Sequence, residues 1–559
     1  MAKFWNVFKR VLKAYSIEEK VFSIVVILFV LVFAVQGIVE VFKDPTAFLD
    51  DKAYFTEASV SEKPAIINPV YSDFSDVDRD LSSLVFSGLT RYDPVLKVVK
   101  NDMADLTILE DKKTYRFKLR DNLYWHDGEK VTSDDVYFTF HDIVQNDDFQ
   151  NPILKANFLG VKITKVDQST IDFVIKSPNS FFITNFNVGI LPKHILEKVA
   201  VADLPYDNFN IRPIGSGPYK VDGELDTMPD GRQRVILKRF DKYYGDLPKI
   251  KNIRYYVYPN NQALLKEKSA LDIIAKVPRE ILNEIKADSR FKIQKYQLPQ
   301  YTAVFLNMSS PMLQKSKIRL ALQKAIDKTK LLSTLEDKDP IDTPLLDLKQ
   351  TDWIYKPNIE EAKGALFDSG YKLEKPTDPY RKDSKGNIFT LKMLVRTYEK
   401  GSSLDQDSEK VIGFLVDAWK AVGIKVDVVS VASGDFEQKL AARDYDMILY
   451  GESLGYNFDT FSYWHSSQAN ENGLNLSNFK SFAADALIEK IRGIFDQKEK
   501  ETYLNQLAKE IANYVPAIFL YRPLYNFASD GKVSGFKLEN LAFIADRYFS
   551  IQNWCIDCN

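Results

Sequence analysis

Thr114 to Phe140 reads TYRFKLRDNLYWHDGEKVTSDDVYFTF, and along it the hydrophobic period changes from two to helical. Tyr115, Phe117 and Leu119 alternate with Arg116, Lys118 and Arg120, the pattern of a strand with one buried face. Asp127-Gly128 marks a turn. Thr132, with Asp135 three residues later, forms a capping box with a shortened acid. It serves backbone N–H groups ahead of Val136, Phe140, Ile143 and Val144 at helical spacing. The stretch reads strand, turn, helix.

Outward from it the same two periods recur. Tyr54, Thr56, Ala58 and Val60 predict a strand, and a helix is expected around Asp80 to Gly88. Thr170 to Ile175, Arg234 to Arg239 and Ile253 to Val257 read as further strands. An apolar strand, Tyr301 to Leu306, ends in Asn307-Met308-Ser309, after which Ile318, Leu322, Ala325 and Ile326 share one helix face. From Phe389 the rhythm is regular: strand to Val395, helix Glu409 to Val422, strand Ile424 to Val431, helix Phe436 to Ala442, strand Asp446 to Tyr450. Such alternation implies βαβ units and a mainly parallel sheet, an α/β lobe read from pattern alone. Ligands of open α/β sheets favour crevices beyond the carboxyl ends of strands, which points at Asn307 and at Tyr450 to Trp464. Helices at Ala483 to Phe495 and Glu499 to Tyr514 precede a strand-like tail after Pro516.

A chain of 559 residues exceeds one ordinary core, so two or more domains are expected. Lys and Arg total 75 against 77 Asp and Glu, which leaves no basic surplus for a nucleic-acid partner. Aromatic residues make up 13%, enough to fill cores and still line a cleft for an organic ligand. Cys555 and Cys558 form one C-x-x-C pair, short of the four ligands of a zinc site; a short-range disulfide or two idle thiols are the readings left open.

Val21 to Val39 is apolar except for Ser23 and Gln36, and at about 1.5 Å per residue a helix of that length spans most of a hydrocarbon core. Lys3, Lys9, Arg10, Lys13 and Lys20 precede it, so the positive-inside bias places the N-terminus in the cytoplasm and the main domain outside. A cleaved signal peptide is the competing reading, but Phe33 to Ile38 offers no small-x-small site. A single-pass cell-membrane protein is expected.

Catalytic patterns are weak. Gly451-Glu452-Ser453-Leu454-Gly455 matches G-x-S-x-G after a strand, yet Tyr456 to Asp459 reads as loop where the nucleophile elbow needs a helix. His126, His141, His194 and His465 are scattered without metal-ligand spacing. Gly215-Ser216-Gly217-Pro218 has neither G-x-G-x-x-G spacing nor a GK[ST] ending, and reads as a tight turn. No enzyme activity, metal or cofactor is expected.

The run Tyr124-Trp125-His126-Asp127-Gly128, then Val131 to Val136 and Phe138, resembles the signature region of the family 5 extracellular solute-binding proteins of ABC importers. Asn68-Pro69, Ser87-Gly88-Leu89, Leu191 to His194, Gly215 to Tyr219, Arg319 with Ala325-Ile326-Asp327, Gly370-Tyr371 and Pro516-Ala517-Ile518 extend the resemblance in order over about residues 55 to 545. The resemblance implies a mixed α/β, periplasmic-binding-protein-like type II fold of two lobes plus a small extra domain; the transmembrane helix expected before it is read from the residues and departs from the many relatives that are lipoproteins or free periplasmic proteins. The expected organisation is a cytoplasmic tail (1–20), an anchor (21–39) and a tether (40–54). Lobe I then comprises 55–89, 190–298 and 515–559, the small domain 90–189, and lobe II 299–514. The ligand would be a peptide or oligopeptide, with an oligosaccharide or a solute-sensing receptor role as alternatives, and the partners are ABC permease subunits and the membrane. Candidate ligand contacts are Glu57 from the first lobe, then Tyr301, Asn307, Tyr450, Glu452, Tyr456, Phe458, Asp459 and Trp464. In peptide-binding relatives an aspartate in this last region holds the ligand's amine; Gly455 stands at its position, leaving Asp459 or Glu452 as substitutes, or a ligand without a free amine.

Overall fold

In the computed structural model the described residues are 54–346, 348, 356–456, 459–471 and 473–558. The span expected at Val21 to Val39 lies outside them, as does Phe458. Among the described residues no helix is long and apolar enough to cross a membrane. The described residues from Thr56 onward form one compact unit.

The chain runs through strand β1 (Phe55–Val60), helix α1 (Asp76–Val85) and the hairpin β2 (Thr90–Asp93) and β3 (Val98–Asn101). An antiparallel sheet follows, β4 (Ala104–Ile108), β5 (Thr114–Leu119), β6 (Lys162–Lys165) and β7 (Thr170–Val174), in the order 4-5-7-6. Tyr115, Phe117 and Leu119 are buried there, as alternation requires. Helix α2 (Ser133–Tyr137) covers this sheet. Thr132 and Asp135 complete the capping box, with the Thr132 N–H donating to Asp135 Oδ2 at 2.9 Å.

Next come β8 (Tyr219–Val221), β9 (Asp226–Thr227), β10 (Gln233–Arg239), β11 (Asn252–Tyr258), β12 (Ile273–Ile274) and β13 (Phe291–Gln297). The second half holds β14 (Gln300–Leu306), α3 (Ser316–Lys324), β15 (Lys338–Pro340), β16 (Thr390–Arg396), α4 (Ser403–Ala421), β17 (Lys425–Val431), α5 (Ser433–Ala441) and β18 (Met447–Ser453). Helices α6 (Phe482–Arg492) and α7 (Gln497–Tyr514), strand β19 (Ala517–Asp530) and a 3-10 segment, Ile544–Asn553, close the chain.

One sheet path runs 17-16-18-14-19-12-1-11-10-8. Strand β19 belongs to both halves: Ala517 to Tyr521 pair with β14, and Leu524 to Asp530 pair with β13. The two-lobed architecture follows from this long strand and from the short β13–β14 connection beside it. In the second lobe β16 pairs in parallel with β17 and β18, but β14 and β19 are antiparallel. The expectation of a mainly parallel sheet is corrected accordingly, because β14 arrives from the other lobe rather than through a helical crossover. Val304 and Leu306 of β14 pack with α3 and α4 residues, whereas Tyr301, Ala303 and Phe305 pack on the opposite face with Phe479, Ile488 and Leu507. A central strand covered on both faces is apolar throughout, which is why its sequence carries no alternation.

The Gly215-Ser216-Gly217 run is a close approach of two backbones. A Cβ on Gly215 would fall 2.0 Å from the Val85 carbonyl oxygen, and one on Gly217 2.6 Å from Val85 C. His126 locks the same contact: its Nδ1 accepts from the Gly215 N–H at 3.1 Å and its Nε2 donates to Gly217 O at 3.1 Å. Burial pushes this imidazole down to about 4, so it is neutral.

Candidate functional site: the interlobe junction

Among the described residues, the contacts that tie the second lobe to the first lobe and to the small domain include three groups. At the first, Arg279 donates to Ser403 O at 2.8 Å and pairs with Asp407 Oδ2 at 3.0 Å, while Glu280 accepts from the Ser403 N–H at 2.9 Å. Lys338 adds a second cation 3.1 Å from Asp407. Glu280 thus lies at the N-terminus of α4, where the helix dipole favours an anion. At the second, the Tyr456 hydroxyl donates to Asp546 at 2.6 Å and its ring lies against Phe543 and Tyr92. At the third, the Ser180 N–H donates to Arg492 O at 2.7 Å, and the Lys500 ammonium sits 4.4 Å from the Phe181 ring.

The candidate residues fall into two sets around this junction. Asp459 is buried and pairs with Arg492 at 3.0 Å, so it holds the helix end whose carbonyl meets Ser180; burial raises its carboxyl against that guanidinium. Tyr456 belongs to the second contact, and burial beside Asp546 pushes its hydroxyl well up. Burial also lifts Asp546 to about 6, against the N–H groups of Ala542 and Phe543 and the Tyr456 hydroxyl. Tyr450 is partly buried, stacked on Phe436 at 6.0 Å. Glu452 accepts a hydrogen bond from the Tyr301 hydroxyl, and burial lifts its carboxyl to about 8.

The other set lies in the framework. Trp464 is a core residue between Phe305, Phe479 and Phe519. Asn307 ties the end of β14, donating to Tyr445 O at 2.9 Å and accepting from Asn478 at 2.9 Å. Glu57 is fully buried in an ionic cluster: Arg547 donates to it at 2.6 Å and to Asp80 at 2.7 Å, and the Tyr548 hydroxyl donates to it at 2.7 Å. Burial raises its carboxyl while Arg547 opposes.

Gly455 has φ +55°, and a Cβ there would sit 2.6 Å from Phe543 Cζ. The Phe543 ring, with the Arg79 guanidinium stacked 3.7 Å from its centroid, leaves this position no side chain. Ser453 is not part of a triad: His465 Nδ1 faces Ser467 Oγ at 2.8 Å and Asp459 is paired with Arg492. Among the described residues no group of three or more His, Cys, Asp or Glu could hold a metal. Cys555 and Cys558 are joined as a disulfide.

Arg279, Asp407, Arg492, Asp546 and Arg547 were not read from the sequence. Their only local signal is charge, and charged residues are common in a chain with 75 basic and 77 acidic side chains.

The family described as bacterial extracellular solute-binding proteins, family 5 Middle, matches residues 98–473. The chain belongs to the family 5 extracellular solute-binding proteins, the class that serves ABC importers. The oligopeptide-binding protein AppA of Bacillus subtilis is 27% identical over 490 residues, covering 85% of this chain and 87% of that protein. Its solved structure in complex with a nonapeptide superposes with a TM-score of 0.68 at 24% identity, over 90% of this chain and 98% of the other. NikZ from Campylobacter jejuni, solved in complex with Ni(L-His), gives a TM-score of 0.70 at 25% identity, over 90% and 99% of the two chains.

Proposed function

We propose that this chain captures a peptide or oligopeptide between its two lobes and hands it to the permease of an ABC importer. In this reading the apolar segment 21–39 anchors it in the cell membrane, with the main domain outside the cytoplasm. The contact surface is formed by Tyr450, Glu452 and Tyr456 of the second lobe together with the first-lobe side of the junction, while Glu57, Asn307, Asp459 and Trp464 hold its framework. The observation that carries the reading is that the lobes, linked by β19, meet through separable polar contacts such as Arg279 with Asp407. A solute touching both lobes adds its contacts only in the closed arrangement, so it shifts the population toward closure. The name of the Bacillus relative supports the peptide class. Gly455, packed under Phe543, leaves the ligand's amine to another group or to none.

The test is native mass spectrometry of the full chain as purified in detergent, followed by a thermal-shift screen of peptides and oligosaccharides. Bound masses fitting a peptide population, with peptides raising the melting temperature, support the reading. A shift with sugars alone removes the peptide assignment, and binding of neither favours a receptor role. Recovery of the full chain in the soluble fraction after carbonate extraction would remove the anchor.

A further inference from the structure

On the first-lobe side of Tyr456 lies a cavity of about 180 Å³. At one water per 10–15 Å³ it holds roughly a dozen waters, the space of a molecule of about ten heavy atoms and well below that of an oligopeptide. Arg91, Asp102, Arg120 and Asn187 line it, with Tyr244 and Phe549 as aromatic walls.

Its donors are unspent. The Asn187 amide is fixed because its Oδ1 accepts from Thr90 Oγ1 at 2.7 Å, yet its buried Nδ2 has no hydrogen-bond partner. The Arg91 guanidinium stacks over Phe549 at 4.8 Å, and that of Arg120 over Tyr244 at 5.6 Å. Stacking uses the face of a guanidinium and leaves its N–H edge for a planar acceptor. Arg91 Nε is 3.9 Å from Asp102 Oδ1, too far for a hydrogen bond.

Acceptors are present as well. Of the carboxylates on the wall, Asp546 is engaged by Tyr456, Ala542 and Phe543, Asp102 is buried beside Arg91, Arg120 and Tyr244, and Asp246 lies exposed at the rim. Two guanidiniums and an amide share a cavity of amino-acid size with two carboxylates, Arg91 next to Asp102, and aromatic rings complete the wall. We propose that this cavity is a second site, adjoining the proposed peptide surface at Tyr456, that binds a free α-amino acid as its zwitterion. The carboxylate meets Arg91, Arg120 and Asn187, the ammonium meets Asp102 and Asp246, and the side chain lies on the rings. Because Tyr456 comes from the other lobe, an occupant touches both lobes and favours closure.

The experiment uses the full chain in detergent and a thermal-shift and calorimetric panel of the common amino acids, each paired with its N-acetyl and amide derivatives. At least one amino acid should raise the melting temperature saturably while its two singly charged derivatives do not. Arg91→Met and Asn187→Leu, each verified by circular dichroism, should weaken that amino acid by roughly tenfold or more, the effect of losing a charge-assisted hydrogen bond. Peptide binding should be unchanged in both. No shift with any amino acid overturns the site, and so does a shift that persists undiminished in both variants. If amino acids bind as described but no peptide does, the peptide assignment fails and the second site stands.

Discussion

Replacing Arg547 by methionine removes the one cation from the buried cluster around Glu57. Arg547 is 0% exposed and donates to Glu57 at 2.6 and 3.1 Å, to Asp80 at 2.7 Å and to Ile544 O at 2.8 Å. Without it Glu57 and Asp80, 0% and 1% exposed, keep only the Tyr548 and Tyr255 hydroxyls. Breaking a buried ion pair from one side costs about 3–5 kcal/mol, because the remaining charge is left desolvated. With an unfolding entropy near 2.1 cal/mol/K per residue, a cooperative unit of about 500 residues loses ~1 °C of melting temperature per kcal/mol, so Arg547→Met should fall by ~3–5 °C.

The sign with pH follows. In the variant Glu57, already raised by burial, loses the guanidinium that opposes the rise, so the folded state binds more protons than the unfolded one. Protonation of Glu57 then adds stability at low pH that is lost as pH rises, and the deficit against the parent should shrink on acidification from pH 7. The triple variant Arg547→Met, Glu57→Gln, Asp80→Asn should recover much of the loss, since neutral amides carry a smaller burial cost. Differential scanning calorimetry at pH 7 and pH 5 is the assay. A loss under ~1 °C at pH 7, or one that does not shrink at pH 5, would refute the reasoning that an uncompensated buried charge sets the cost.

Gly455→Ala adds a methyl at φ +55° against Phe543, costing ~1–2 kcal/mol of backbone strain besides the clash. The lobes should open rather than unfold, seen as a larger radius of gyration in small-angle scattering and reversed by Phe543→Ala. Asp407→Asn weakens the contacts to Arg279 and Lys338 by ~1–2 kcal/mol, which should speed solute release roughly five- to thirtyfold in stopped-flow fluorescence. An unchanged rate would remove Asp407 from the closure contacts. Burial holds Glu452 up to about 8, so its folded form keeps a proton that the unfolded form releases at lower pH. Stability from this group is full below the ordinary glutamate range and falls by ~1.4 kcal/mol per pH unit up to that value. Glu452→Gln should flatten this slope in urea titrations at pH 5, 6.5 and 8; equal slopes for both proteins would show that Glu452 is not buried as a neutral acid.

Much of the framework was legible in the sequence, and the misses have physical causes. Helix α4 starts at Ser403, six residues before the expected Glu409, because its first turns are mostly polar and only from Val411 does an apolar stripe appear. Ser402 gives the true start, accepting from the Asp405 N–H. Likewise α1 starts at Asp76, four residues ahead of the expected Asp80, capped by the Ser75 side chain rather than marked by an apolar residue. The candidate site was less legible. Trp464 and Tyr456 both sit in an aromatic-rich segment, yet one is core and the other meets the opposite lobe. Nothing local separates them.

By itself the sequence determined the family and most of the strands and helices, since period, caps and turn residues act over a few neighbours along the chain. Only the tertiary structure decided which charges do what. Glu57 finds Arg547 across 490 residues, and Arg279 finds Asp407 across the junction of two lobes. A charge is costly or cheap according to the partner and the water left around it, and both are set when distant segments pack.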